Sequence, residues 1–555
     1  MIELKLIIMV LCWFGMTTKF HPAMYETTKI VAIEGGKIVG ENFDSFYAFR
    51  GIPYAEPPVG ELRFAPPKPY LERWDGLRQF KNFSAVCAQY DHFGYRYEGD
   101  EDCLTVNVFV PKLVAQSNRT FPVIFFIHGG AFMYGGGNII GPENIMREQN
   151  IILVTVNYRL GVLGFLSTED SVIPGNYGLK DQVEALRWVQ KNIAAFNGDP
   201  TKVTLSGFSA GGASAHLHYM SPLTDGLFNN GISHSGNALD PWVMVENSEE
   251  KAHQVAAFVD CPQNHTEMLK CLREKPAEEL VVLAKKFQPF LYNPYSPFGV
   301  VVELESETAF LTDHPLNILK TGNFKKLPWL LSQTQDEGLY PAAEFYDDEI
   351  LKTINDQWNS LAPHILDYNG TTSDENQKLE ISNEIRSFYM HDEVISKKTF
   401  DSLLQTITDR LFHNGAFRSA QLQSQFAPTY FYYFRMITKT GPKDKIPREA
   451  QSDQFKQSLG VSHGDDVFLI YDNPDSRSYI PFSDEEIKVS KDLIGVYSQF
   501  AEQNVPSYGN LTMTQVTPEQ FNCLEIFSDE IVMMTVKDER FGQIQFWNSL
   551  NLNEN

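Results

Sequence analysis

Beyond residue 16 the chain has no long apolar run. Nowhere does it approach the roughly 18 uninterrupted apolar residues of a membrane span, which excludes a membrane-spanning helix. Cysteine is scarce, six in 555 residues, and no two are spaced C-x-x-C. That excludes a disulfide scaffold and the spacing of a zinc or dithiol redox site. Basic residues are outnumbered 46 to 70, a net charge of −24, so phosphates and anionic lipid would be repelled. Nucleic acid and membrane surfaces are poor partners. No repeat, low-complexity tract or Gly/Ser linker divides the chain. What is present is 43 % hydrophobic and 13 % aromatic, with 40 Phe and 24 Tyr, enough for a large core. One large domain over residues 21–555 fits better than several small ones.

The first twenty residues read as an address. Lys5 precedes an apolar run over residues 6–16, too short to span a bilayer but suited to a signal-peptide core. Secretion is the expectation. Removing the signal removes Cys12 and leaves Cys87, Cys103, Cys261, Cys271 and Cys523. Joining Cys87 to Cys103 and Cys261 to Cys271 would close two short loops, each worth about 2–4 kcal/mol if unstrained. Cys523 would be left as a buried thiol or an intermolecular partner. Glycan acceptors of the Asn-x-Ser/Thr type stand at Asn82, Asn118, Asn264, Asn369 and Asn510, all in polar surroundings.

From about residue 120 to 235, extended and helical patterns alternate. Residues 121–127 and 151–156 are apolar, β-rich runs. Leu179, Val183, Leu186, Val189 and Ile193 recur at steps of four and three, one face of a helix. Asn197-Gly198-Asp199-Pro200 stops it, and residues 202–205 open a further strand. Residues 327–332 and 430–436 are two more strands. Ser483 with Glu486 predicts a capping box at the start of a helix running through Phe500. This order argues an α/β protein with a large, mainly parallel central sheet and helices on both faces.

The chemistry sits between a strand and a helix. Gly207-Phe208-Ser209-Ala210-Gly211 is G-x-S-x-G, whose small residues permit a tight turn that presents the Ser209 hydroxyl. The helix behind it favours negative charge there. His128-Gly129-Gly130-Ala131-Phe132 also follows a strand. With so little side chain, the amides of Gly130 and Ala131 could join that of Ala210 around a developing oxyanion. A serine needs a base, and the base needs an acid to orient it. Asp336 and Glu337 are both placed to serve as that acid. His463, in Gly460-Val461-Ser462-His463-Gly464-Asp465-Asp466, is a candidate base, though the spacing alone equally allows a surface loop. His413, in an apolar helical context, reads as a packed histidine. His216 and His218, two apart on a helix, point to different faces and make a poor metal pair.

Residues 49–60 (FRGIPYAEPPVG), Glu101-Asp102-Cys103-Leu104, the HGGAF and GFSAG stretches and Asp336-Glu337-Gly338 together resemble the type-B carboxylesterase/cholinesterase family. The likeness runs from about residue 28 to Phe546-Trp547-Asn548. It is greatest to the secreted insect carboxylesterases of the β-esterase group, through residues 128–132 and 235–242. The resemblance implies an α/β-hydrolase fold with a deep gorge. It makes Ser209 the nucleophile, Glu337 the acid and His463 the base, with Gly130, Ala131 and Ala210 as the oxyanion hole. It also makes Cys87–Cys103 and Cys261–Cys271 the family's disulfides, and it requires no cofactor and no metal. The implied partner is a small-molecule ester, cleaved through an acyl-enzyme. Oligomeric state is not readable from the sequence.

Two other readings stay open. A juvenile hormone esterase uses the same scaffold but usually carries Gln before the serine, where this chain has Phe208. A non-catalytic binding or adhesion protein is the second, and the complete set of candidate residues argues against it. Between Cys87 and Cys103 lie Tyr90, Phe93, Tyr95 and Tyr97 but no tryptophan of the kind that holds choline in cholinesterases. Trp242 and Phe298 look like walls of an acyl pocket. Neutral, fairly apolar esters are therefore the expected substrates.

Overall fold

Strands covered on both faces are built from continuous apolar runs, and the centre of this protein follows that rule. The computed structural model describes residues 29–91, 96–148, 150–372, 374–438, 459–472, 482–527, 530–536, 541–550 and 552. The segment read as a signal, and Phe93 and Tyr95, lie outside them. Among the described residues one eleven-stranded sheet dominates. In chain order its strands are β1 (Glu41–Asn42), β2 (Phe46–Pro53), β3 (Thr105–Pro111), β4 (Phe121–Ile127), β5 (Ile152–Val156) and β6 (Gly198–Phe208). They continue with β7 (Asn230–His234), β8 (Trp329–Thr334), β9 (Thr429–Phe434), β10 (Phe521–Ile526) and β11 (Ile531–Val536). Across the sheet the order is β1-β2-β3-β5-β4-β6-β7-β8-β9-β10-β11. The stretch from β5 to β10 runs parallel. Antiparallel pairs close both edges, so the sheet is mixed at its margins.

Alternate side chains feed two cores. On β4, Val123, Phe125 and Ile127 join one core, while Ile124 and Phe126 join the other. Helix α1 (Tyr177–Asn192) covers the first face with Leu179, Val183, Leu186 and Val189, all fully buried. Helix α2 (Ala210–Met220) lies on that side too, with every residue buried. Helix α3 (Asp484–Gln503) covers the second face with Val489, Leu493, Ile494, Val496 and Phe500. Its N-terminus has the expected capping box: Ser483 Oγ accepts from Glu486 N, and Ser483 N donates to the Glu486 carboxylate. The helix ends at Gln503, one turn beyond the expectation. Strand β6 starts at Gly198, before the expected residue 202, since Gly198 already pairs with Phe121 of β4 ahead of an irregular stretch up to Val203.

Both expected disulfides, Cys87–Cys103 and Cys261–Cys271, are present, and Cys523 is a buried free thiol on β10. No described helix is long and apolar enough to cross a membrane. Asn82, Asn118, Asn264, Asn369 and Asn510 are all exposed.

Several histidines lie inside this fold, and for three of them burial disfavours the charged form. Burial pushes His128 down to about 4, and His216 and His218 down to about 3. The unfolded chain takes up protons that the folded one refuses, so their full contribution is present above pH 6.5 and is lost as pH falls toward 4. At pH 5 each should cost on the order of 2 kcal/mol. The urea midpoint should drop between pH 7 and pH 5, and His218→Asn, which keeps an amide for Gln182, should flatten that slope. An unchanged slope in the variant would contradict the account.

Candidate active site

In a parallel sheet, loops leaving the carboxyl ends of adjacent strands meet in one crevice. Register does this here: Ile127 of β4 pairs with Gly207 of β6, Gly207 with Ser233 of β7, and Ser233 with Leu331 of β8. The segments that follow these strands carry His128–Ala131, Ser209, Ser235 and Glu337.

Ser209 forms the turn between β6 and α2 with φ 58° and ψ −124°, a conformation that L-residues avoid. Its N–H donates to His234 O at 2.7 Å and its carbonyl accepts from Ala213 N at 2.9 Å. The turn can close only because Gly207 and Gly211 lack side chains. A Cβ on Gly207 would sit 2.1 Å from Gly211 O, and one on Gly211 would sit 2.0 Å from Ile127 O.

The glycine loop after β4 lies against this turn, since a Cβ on Gly129 would come within 2.9 Å of Ser209 Cβ. Gly130 and Ala131 adopt positive φ, 105° and 52°. Their N–H groups have no partner among the described residues. As the first residue of α2, Ala210 has no acceptor for its N–H within the helix. The expected oxyanion donors are thus unspent and flank the serine. Ser296 Oγ holds the loop by donating to Ala131 O at 2.9 Å.

Glu337 and His463, distant in sequence, meet with Oε2 and Nδ1 2.6 Å apart, both buried. A carboxylate only accepts, so Nδ1 carries the proton and Nε2 keeps a free lone pair. The other oxygen, Oε1, accepts from Ser235 Oγ at 2.6 Å and Thr334 N at 2.7 Å. Of the two neighbouring acids, only Glu337 meets the imidazole. Asp336 does not touch the imidazole; its Oδ2 accepts from Val461 N at 2.8 Å, and its N–H donates to Val461 O at 2.9 Å. Asp336 therefore clamps the loop that carries His463. Beyond the histidine, Asp466 Oδ2 accepts from Tyr432 OH and Ser332 Oγ and lies 3.1 Å from His234 Nδ1.

The His463 ring is walled by aromatics: Phe208 at 4.6 Å, Phe412 at 4.8 Å and Tyr340 stacked at 5.5 Å between centroids. Phe208, the residue before Ser209, thus packs directly on the His463 ring. Tyr340 hydrogen-bonds Tyr134 through their hydroxyls and packs beside Tyr292 and Tyr295. Trp242 packs between Phe132 and Phe412. A cleft of about 880 Å³ opens on its far side, lined also by Leu239, Ser296, Arg410 and Asn414, and neither Ser209 nor His463 borders it. Phe298, expected in the same wall, instead packs edge-on against Phe287.

His413 is buried, with Nε2 2.9 Å from Thr334 O and its ring stacked on Phe541. His216 and His218 face Gln423 and Gln182 on different sides of α2. Ser235, the clamp at Asp336 and the tyrosine cluster have no signal in spacing. Only their position at the strand ends, or against His463, marks them.

A hydroxyl in front of an imidazole so oriented can lose its proton to Nε2, and the free amides can receive negative charge on an attacked carbonyl oxygen. A model of the carboxylesterase family matches residues 27–547. Venom carboxylesterase-6 of Apis mellifera is 37 % identical over 522 residues, covering 92 % of this chain and 91 % of that one. Esterase-5B of Drosophila miranda is 37 % identical over 514 residues, covering 89 % and 91 %. Among solved structures, juvenile hormone esterase from Manduca sexta, with OTFP covalently attached, superposes with a TM-score of 0.81. It is 26 % identical and covers 94 % of this chain and 99 % of that one.

The steric reading of the turn is testable through two glycines. Gly211→Ala forces a Cβ onto Ile127 O and should destabilise by about 1–3 kcal/mol or more. Gly495→Ala, inside α3 with nothing within 4 Å, should stabilise by roughly 0.5–1 kcal/mol. Urea melts check both; equal effects would refute the close-approach argument.

Proposed function

The chain belongs to the carboxylesterase family and is a carboxylic ester hydrolase, and from that premise we propose that Ser209, His463 and Glu337 cleave neutral, fairly apolar esters through an acyl-enzyme. The observation that carries the proposal is the 2.6 Å contact of His463 Nδ1 with Glu337, beside the strained turn at Ser209. Ser209 Oγ attacks the ester carbonyl as its proton passes to His463 Nε2, and Glu337 stabilises the imidazolium. The oxyanion is received by the N–H groups of Gly130, Ala131 and Ala210. The tetrahedral adduct collapses, and the alcohol leaves with the proton from His463. Water then repeats the attack on the acyl-serine, the acid departs, and Ser209 regains its proton. No step calls for a metal or cofactor.

The aromatic surroundings support the substrate class. Phe412 and Tyr340 flank the histidine, and Trp242 and Phe132 stand next to them. Tyr90, the buried ring between Cys87 and Cys103, already has Lys285 Nζ 4.4 Å from its centroid. That face is occupied by the protein's own cation. Release from the cell is part of the proposal, supported by two disulfides and five exposed glycan acceptors. A second reading, juvenile hormone as substrate, is favoured by the Manduca sexta neighbour. Against it, Phe208 occupies the position before the serine and packs on His463.

Ser209→Ala should abolish turnover with the fold intact, and an organophosphate should label Ser209 alone; substantial residual activity would refute the nucleophile. Glu337→Gln should lower kcat/KM by about 10³–10⁴. Asp336→Asn, which loosens the Val461 clamp without touching the imidazole, should cost far less, and the reverse ranking would transfer the acid to Asp336.

Naphthyl acetate and butyrate should be cleaved with higher kcat/KM than acetylcholine or juvenile hormone. A clear preference for the choline ester would overturn the substrate class, and one for the hormone would establish the second reading.

A further inference from the structure

Away from the active site, two helices bring three potential ligands together. Glu249 and His253 are four residues apart on the helix Ser248–Phe258, hence on one face. His265 opens the next helix, His265–Glu274. His253 Nε2 and His265 Nε2 are 3.0 Å apart, and Glu249 Oε1 is 3.4 Å from His265 Nε2. The three ligand atoms all lie within 4.8 Å of one another.

The proton inventory makes this arrangement informative. His265 Nδ1 is 2.8 Å from Asp170 Oδ2, and a carboxylate only accepts, so Nδ1 carries the proton. Where Nε2 of His265 is unprotonated, it presents a lone pair to another electron-rich atom, the carboxylate oxygen of Glu249. Two acceptors at 3.4 Å repel unless a positive charge lies between them. That charge can be a second proton on His265 or a metal ion, and a metal ion would also take a lone pair from His253 Nε2, 3.0 Å away. We propose that Glu249, His253 and His265 bind a zinc ion, with Asp170 orienting His265 from behind.

Three observations select the metal class. Zinc bonds of 2.0–2.2 Å in tetrahedral geometry place ligand atoms about 3.3 Å apart, and the two separations above bracket that value. Two imidazoles with one carboxylate suit zinc and its late first-row neighbours, whereas calcium and magnesium demand shells of oxygen. A carboxylate hydrogen-bonded to the far nitrogen of a ligand histidine fixes its tautomer and raises its basicity, the role of Asp170. The side chains are partly open to solvent, so an ion can enter and water can take the fourth position. The ion would tie the two helices together on the segment already closed by Cys261–Cys271, and through Asp170 to the loop after residue 165. This staple is independent of Ser209.

Metal-stripped full-length protein, dialysed against zinc, should bind one equivalent at this site, with a rise in Tm. Cobalt in place of zinc should give the visible d–d absorption of a tetrahedral site. His253→Ala/His265→Ala should lose both signals while retaining ester turnover, which shows that it is folded. Asp170→Asn should weaken binding by roughly 10–100-fold. The proposal is overturned if the double variant takes up as much zinc as the parent, or if cobalt gives no tetrahedral band.

Discussion

A serine held at positive φ is the constraint around which the active site is arranged. A non-glycine residue in such a conformation costs on the order of 1–3 kcal/mol and persists only where its surroundings over-determine it. Here the restraints come from both sides of β6. On one side, β4 delivers the backbone that Gly211 touches and the Gly129 loop that abuts Ser209 Cβ. On the other, β7 supplies His234 O to the Ser209 amide, and Gly236 lies where a Cβ would strike Ser209 O at 2.0 Å. Neighbouring strands that end level are therefore a condition of the turn as well as its frame. The same level ending sets Glu337, one strand farther, within reach of Ser235.

The elements legible in the sequence were those whose signal is local. The stripe on α1 and the capping box of α3 depend on residues within one helix, and both emerge as read. Strand β6 was underestimated because Asp199-Pro200 reads as a turn; it lies in the irregular stretch where pairing with β4 shifts, so the missing proline N–H breaks no regular ladder. The outer strands β1 to β3, β10 and β11 lie outside the alternating stretch, and no motif marks them as strands. In the site, G-x-S-x-G and the glycine loop declare themselves because tight turns demand small residues. The acid did not. Asp336 and Glu337 are adjacent carboxylates, and only the direction of each side chain tells which meets His463.

That adjacency divides two tasks between neighbours. Glu337 spends both oxygens inward, on His463, Ser235 and Thr334. Asp336 turns to the His463 loop and holds its backbone at Val461, in a short bridge to Ser462. On the far side of the histidine, Asp466 fastens the loop to β7, β8 and β9 through His234, Ser332 and Tyr432. Burial alone would raise the Asp466 pKa, yet these hydrogen bonds bring it below its ordinary value. The His463 loop thus stands between two anchored points. His463 is positioned to within hydrogen-bond precision although it sits on a loop, where precision is hardest to obtain.

The surface charge and the interior chemistry point in different directions. A net charge of −24 draws cations toward the protein, but that field is screened within about 8 Å at physiological salt. Selection must then fall to groups at close range. Those groups are already engaged: Glu337 is committed to three donors, and Asp240, whose pKa burial pushes well above its ordinary value, accepts from Asn237. What remains to meet a substrate near His463 is ring surface, from Phe208, Tyr340 and Phe412. Rings can hold a cation, but they also bury an apolar chain without a desolvation penalty, whereas a quaternary ammonium must give up its hydration to enter. Lys285 already stands against Tyr90, and the proposal of neutral esters draws on that balance.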